Sequence, residues 1–89
     1  MTTFEIIDFR TKQALEHHLE SARLIFEKNN IRIHQIPTKT AGKWNHIDGY
    51  AIRYELINQK TKTVGVLTTF YPYSENENSY GYMEEIFEK

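Results

Sequence analysis

No cysteine occurs in these 89 residues, so neither a disulfide framework nor a thiolate metal site can hold this fold. Proline occurs only at Pro37 and Pro72, and the four glycines are scattered, which leaves no flexible linker and no low-complexity segment. Long apolar runs are missing as well. Stretches such as Leu24-Ile25-Phe26 stop at three residues, far short of the ~18 that a membrane span needs. No charged-then-apolar leader opens the chain, and a soluble, cytoplasmic protein with no membrane partner is expected. A strongly basic balance is also lacking: the formal charge is −1 and the pI about 6.4, unlike a general nucleic-acid binder.

What is present suffices for one compact domain over residues 1–89. A chain this short builds a single core, and 39% hydrophobic residues, including six tyrosines and five phenylalanines, can fill it. The near-neutral total conceals a sorted charge distribution. Over residues 28–62, Lys28, Arg32, Lys39, Lys43, Arg53, Lys60 and Lys62 face only Asp48 and Glu55, a net of +5. Over residues 63–89, Glu75, Glu77, Glu84, Glu85 and Glu88 face Lys89 alone, a net of −4. Such asymmetry bears on partners and steering, not on fold.

Phe4 to Phe9 reads as a strand covered in part on both sides. From Thr11 to Asn29 the period becomes helical: Leu15, Leu19, Ala22 and Phe26 form one stripe, Ile25 and His18 flank it, and Leu24 lies opposite. Thr11 suits the N-cap, Lys28 the last turn, and Asn29-Asn30 the left-handed residue that ends a helix. Ile31 to Ile36 alternates and stops at Pro37, a further strand. Residues 38–49 show no sustained period and read as a long loop. Tyr50, Ile52, Tyr54 and Leu56 share one side of a strand, with Arg53 and Glu55 on the other. After the polar turn at residues 58–62, Val64, Val66, Thr68 and Phe70 read as the inner side of the next strand. Leu56 is then expected opposite Val64, Tyr54 opposite Val66 and Ile52 opposite Thr68. Ser74 to Ser79 is a polar turn. Strand character is expected through Tyr82, while residues 83–89 fit a strand or a helical turn. The expected fold is α+β: one helix packed on a mainly antiparallel four- or five-stranded sheet, in two layers.

Chemistry-bearing patterns are sparse. His17 and His18 are about 100° apart on the helix, not at the i, i+4 spacing of a helical zinc pair, and no metal site or cofactor is expected. Neither a nucleophile elbow, nor a phosphate loop, nor a dinucleotide fingerprint is present. Lys39, Lys43, Trp44 and His46 combine cations with the only tryptophan, the pairing that single-stranded nucleic acid uses for phosphate attraction and stacking. Trp44 can equally anchor the loop by packing.

The run from Gly42 to Tyr73, with its G-x-W-like loop, its Arg53-Tyr54-Glu55 strand and its aromatic end, resembles the C-terminal half of RelE-type ribonuclease toxins. The resemblance implies a metal-independent ribonuclease with Arg53 binding phosphate, Glu55 as acid or base, and Tyr71 and Tyr73 in the terminal catalytic positions. The chain departs from that family in having one helix where the family has a two-helix hairpin, no terminal His or Arg, and an acidic segment afterwards.

The tail from Tyr71 onward joins Glu75, Glu77, Glu84 and Glu85 to Tyr80 and Tyr82. Tyrosine supplies rigid contact area at interfaces, and carboxylates steer toward a basic partner. The function expected from these residues is non-catalytic: a protein-binding inhibitor, of phage, mobile-element or immunity type, that occludes a basic partner surface with this tail. The alternatives are a RelE-like RNA endonuclease or RNA binder, and a homodimeric module whose exposed sheet edge pairs with itself.

Overall fold

The computed structural model describes residues 2–60 and 62–87. Strand β1 (Thr2–Phe9) leads into helix α1 (Lys12–Lys28), followed by β2 (Ile31–Gln35), β3 (Thr40–Trp44), β4 (Ile47–Asn58), β5 (Thr63–Pro72) and β6 (Tyr80–Phe87). Thr61 in the polar turn, and Glu88 and Lys89 of the ambiguous final segment, lie outside the described residues. Every strand pairing is antiparallel. The sheet runs in the order β1-β6-β5-β4-β2, and β3 shares the outer edge of β4 with β2. One helix on an antiparallel sheet is therefore the architecture, with six strands among the described residues in place of four or five.

The helix forms where its spacing predicts. Thr11 Oγ1 accepts from the Ala14 N–H at 3.0 Å, and Asn30 takes φ 61° just beyond the C-cap Asn29. Leu15, Leu19, Ala22 and Phe26 are buried, whereas Leu24 is 53% exposed. The stripe packs on Tyr54, Leu56, Leu67, Tyr71 and Tyr82, with Ile7, Phe9, Ile31, Ile33, Tyr50, Ile52 and Tyr80 around them.

Two expectations need correction. The loop at residues 38–49 is largely a hairpin: β3 pairs with the start of β4 from Thr40↔Ala51 to Trp44↔Ile47. Its two-residue turn, Asn45-His46, has φ 50° and 65°, the double positive φ of a type I′ turn. Histidine in the place usually held by glycine hid that signal. The register of β4 on β5 is also one residue off the expected one. Leu56 faces Gly65, Tyr54 faces Leu67 and Ile52 faces Thr69, because a bulge follows Leu56 and Ile57 next faces Thr63. Val64 is the extra residue at that bulge. A one-residue shift exchanges the faces, so Leu67, Thr69 and Tyr71 point to the helix while Val66, Thr68 and Phe70 do not. Of the two forms open to residues 83–89, the chain takes the strand, and β6 continues to Phe87.

Leu19→Ala is expected to cost about 2–5 kcal/mol and Leu24→Ala less than about 0.5, read by urea unfolding. Equal losses would contradict the helix phase. Tyr82 also makes stability depend on alkaline pH. Burial, and then donation of its O–H to Glu84 Oε1 at 2.6 Å, raise its pKa above the ordinary 10.0. The folded state thus keeps a proton that the unfolded chain releases, so this contribution holds below pH 10 and is lost as pH rises further. Unfolding free energy measured from pH 9 to 11.5 should fall less steeply for Tyr82→Phe than for the parent.

Candidate interaction surface

The helix covers one face of the sheet, and among the described residues no second layer covers the other. Strand alternation and the observed registers arrange that open face in cross-strand rows. One row runs Phe4, Glu85, Val66, Glu55, His34 from β1 to β2. The next runs Ile6, Met83, Thr68, Arg53. Phe4 is 56% and Ile6 61% exposed, and Phe87 on the same face is 42% exposed, while Met83, Val66 and Thr68 are half-buried. The face is therefore apolar over β1, β6 and β5, and Arg53 and His34 flank it on β4 and β2. Glu85 and Glu55 stand in its middle on either side of Val66. Glu55 accepts from Thr63 Oγ1 at 3.3 Å, and among the described residues neither carboxylate is in an ion pair.

At one end the β3–β4 hairpin curls over this face. The Trp44 ring lies 6.1 Å from Phe70 in a stacked arrangement, above Gly81. Its Nε1–H donates to Asp8 Oδ1 at 3.0 Å, Ser79 Oγ donates to the same oxygen at 2.8 Å, and Asn45 Nδ2 donates to Ser79 Oγ at 3.2 Å. This network ties the hairpin turn to the end of β1 and to the β5–β6 connection. Two glycines make room for it: a Cβ on Gly81 would meet the Trp44 ring 2.4 Å away, and one on Gly49 would meet Phe70 Cζ at 2.5 Å.

The residues suggested for RNA chemistry are not brought together. Arg53 and Glu55 lie on the open face, where Arg53 Nη2 donates to Thr40 Oγ1 at 3.3 Å. Tyr71 is buried on the helix side, stacked on Tyr50 at 5.3 Å, and Tyr73 is exposed 6.0 Å from Tyr50. Burial raises the Tyr71 pKa. Among the nucleic-acid candidates, Trp44 is committed to packing, and the Lys43 Nζ pairs with Asp48 Oδ1 at 2.9 Å. Lys39 Nζ sits 5.0 Å above the Tyr50 ring, and His46 occupies the hairpin turn.

The acidic, tyrosine-rich segment divides in the same way. Tyr82 is wholly buried and offers no surface to a partner, and Glu84 points to the helix side as its acceptor. Tyr80 is half-buried, edge-on to Tyr71 at 6.4 Å. Glu75 and Glu77 are exposed in the connection after β5, and of the segment's described carboxylates Glu85 alone reaches the open face. On the helix side, His18 Nε2 meets Glu5 Oε1 at 3.1 Å and the His18 ring stands edge-on to Tyr82 at 4.5 Å, in a cleft of about 170 Å³ that Ile25 also lines. Among the described residues, no group of three or more His, Asp or Glu side chains could hold a metal ion, and no helix is long and apolar enough to cross a membrane.

Sequence reasoning missed Phe4, Ile6, Met83 and Val66 as surface. The signal available was the mismatch between a single amphipathic helix and at least four apolar strands, since one helix cannot cover both faces. Trp44 reports on the region directly. Gly81→Ala is expected to displace the indole, shifting its fluorescence to the red and lowering stability by about 1–3 kcal/mol, as overpacking does. Gly42→Ala, with nothing within 4 Å of the added Cβ, should leave the emission unchanged.

Comparison with protein-family models, with curated proteins and with solved structures found no match, so the likeness to RelE-type toxins rests only on the residues that suggested it.

Proposed function

We propose that the protein acts by binding and occluding another protein through its open sheet face, to which Glu85 of the acidic tail contributes. The observation that carries this reading is the exposure of Phe4 and Ile6 on a sheet face that no second layer of the described residues covers. Contiguous exposed apolar surface marks interaction sites, and interface cores are apolar with few charges. The charges present bear on the chemistry of such a partner. Glu85 is half-buried beside Phe4, Met83 and Val66 and in no ion pair among the described residues, and Glu55 lies across Val66 from it. A partner that inserts a lysine or arginine between apolar contacts matches this pattern. Bringing such a cation to Glu85 offsets the cost of removing the carboxylate from water. This keeps the inhibitor reading with a basic partner and relocates its contact from Tyr82 and Glu84 to Glu85, Val66 and Ile6. Catalysis has less support, because Tyr71 lies across the sheet from Arg53 and Glu55.

A photo-crosslinking side chain placed at position 66, and separately at position 24 on the outer side of α1, tests the proposal in lysate of the source cells. One protein should be captured from position 66 and not from position 24. Glu85→Lys should abolish that capture without lowering thermal stability, and nuclease treatment should not affect it. Capture of RNA, equal capture from both positions, or indifference to Glu85→Lys would contradict the proposal.

A further inference from the structure

The two edges of the sheet are built differently. On one edge, β2 and β3 are five-residue segments separated by Pro37, and Arg32, His34 and Lys43 lie along them. Short strands, proline and cations are the devices that keep an edge from pairing with another chain. The opposite edge is β1, eight residues long, in unbroken register with β6 and free of proline and lysine. Its two carboxylates do not guard it. Glu5 meets His18 on the helix side, and Asp8 accepts from Trp44 and Ser79. Exposed apolar side chains flank the same edge on both sides: Phe4 and Ile6 on the open face, and Ile25, 60% exposed, beside Glu5 on the helix side.

We infer that β1 pairs with β1 of a second copy, antiparallel, with Ile6 opposite Ile6 across a twofold axis. The strand's own pattern selects this register. A twofold axis perpendicular to the sheet preserves its faces, so paired residue numbers must sum to an even value. A sum of 10 sets Glu5 against Glu5, and like charges directly opposite are destabilising. A sum of 14 sets Ile6 against Asp8 and shortens the overlap. A sum of 12 sets Ile6 against Ile6, Glu5 against Ile7 and Asp8 against Phe4. Each carboxylate then faces an apolar residue, and residues 3–9 pair along almost the whole strand. The pairing satisfies the outward N–H and C=O groups of β1 and joins the two open faces into one continuous surface. It concerns the purified chain alone, so it stands or falls independently of any partner protein.

Because the chain has no cysteine, single introduced cysteines read the register. Directly opposed residues have Cα atoms about 4.5–5.5 Å apart, within disulfide range, so Ile6→Cys should form a linked dimer at least about tenfold faster than other sites. Two copies of residue 4 would be more than about 13 Å apart along the strands, so Phe4→Cys should link slowly. Thr68→Cys, at the centre of the open face, and Leu24→Cys should behave likewise. Sedimentation of the parent protein over a concentration series should show a monomer–dimer equilibrium, and Ile6→Lys should shift it to monomer. Fast linking at Thr68→Cys in place of Ile6→Cys would mean that copies stack face to face. That outcome, equal rates at all four sites, or a parent that stays monomeric throughout the series would overturn the inference.

Discussion

The contact between the apolar stripe of α1 and the inner side of the sheet is the interaction on which everything else rests. Leu15, Leu19, Ala22 and Phe26 are the apolar helical residues buried in the core cluster, which also takes in side chains from every strand except β3. A helix with side chains is about 10–12 Å across, while a sheet five strands across, spaced about 4.8 Å apart, is roughly twice as wide. One helix therefore protects the middle of one face. The consequence is an asymmetric molecule: Tyr82, Leu67 and Leu56 lose all contact with water, and Phe4 and Ile6 on the reverse side keep more than half of theirs.

The bulge at Leu56 and Ile57 decides which residues of β5 and β6 belong to each side. It sends Leu67, Thr69 and Tyr71 inward and turns Val66, Thr68 and Phe70 outward. Without it, the alternation of β5 would not match that of β4 across the polar turn. On the outer side Phe70 would have no shelter but for the hairpin, whose Trp44 folds across it and is held by Asp8. The open face is thus closed at one end by aromatic packing and left bare along β1 and β6.

Much of this was legible in the residues. The helix, its cap and its stripe followed from a 3.6-residue period with clear polar positions, and β2 and the inner side of β4 followed from alternation. The β4–β5 register did not, because Val64 to Phe70 is apolar or threonine on both sides and a bulge leaves no mark in such a run. The β3–β4 hairpin was hidden because Asn-His lacks the glycine that usually signals a type I′ turn. The candidate site suffered from the same gap. Arg53 and Tyr71 are close in pattern but lie on opposite faces, and Tyr82, which looks like an interface tyrosine in a polar, acidic segment, is a core residue.

The two functional readings share a premise: the side of the sheet away from α1 is open to water in the isolated protein. Methyl relaxation by a soluble paramagnetic probe measures this residue by residue. The methyls of Val66, Thr68 and Met83 should be strongly broadened, while those of Leu15, Leu56 and Leu67 stay sharp. Protection of Val66 and Met83 equal to that of Leu67, at concentrations where the chain is monomeric, would show that this face is covered from within and would contradict the account.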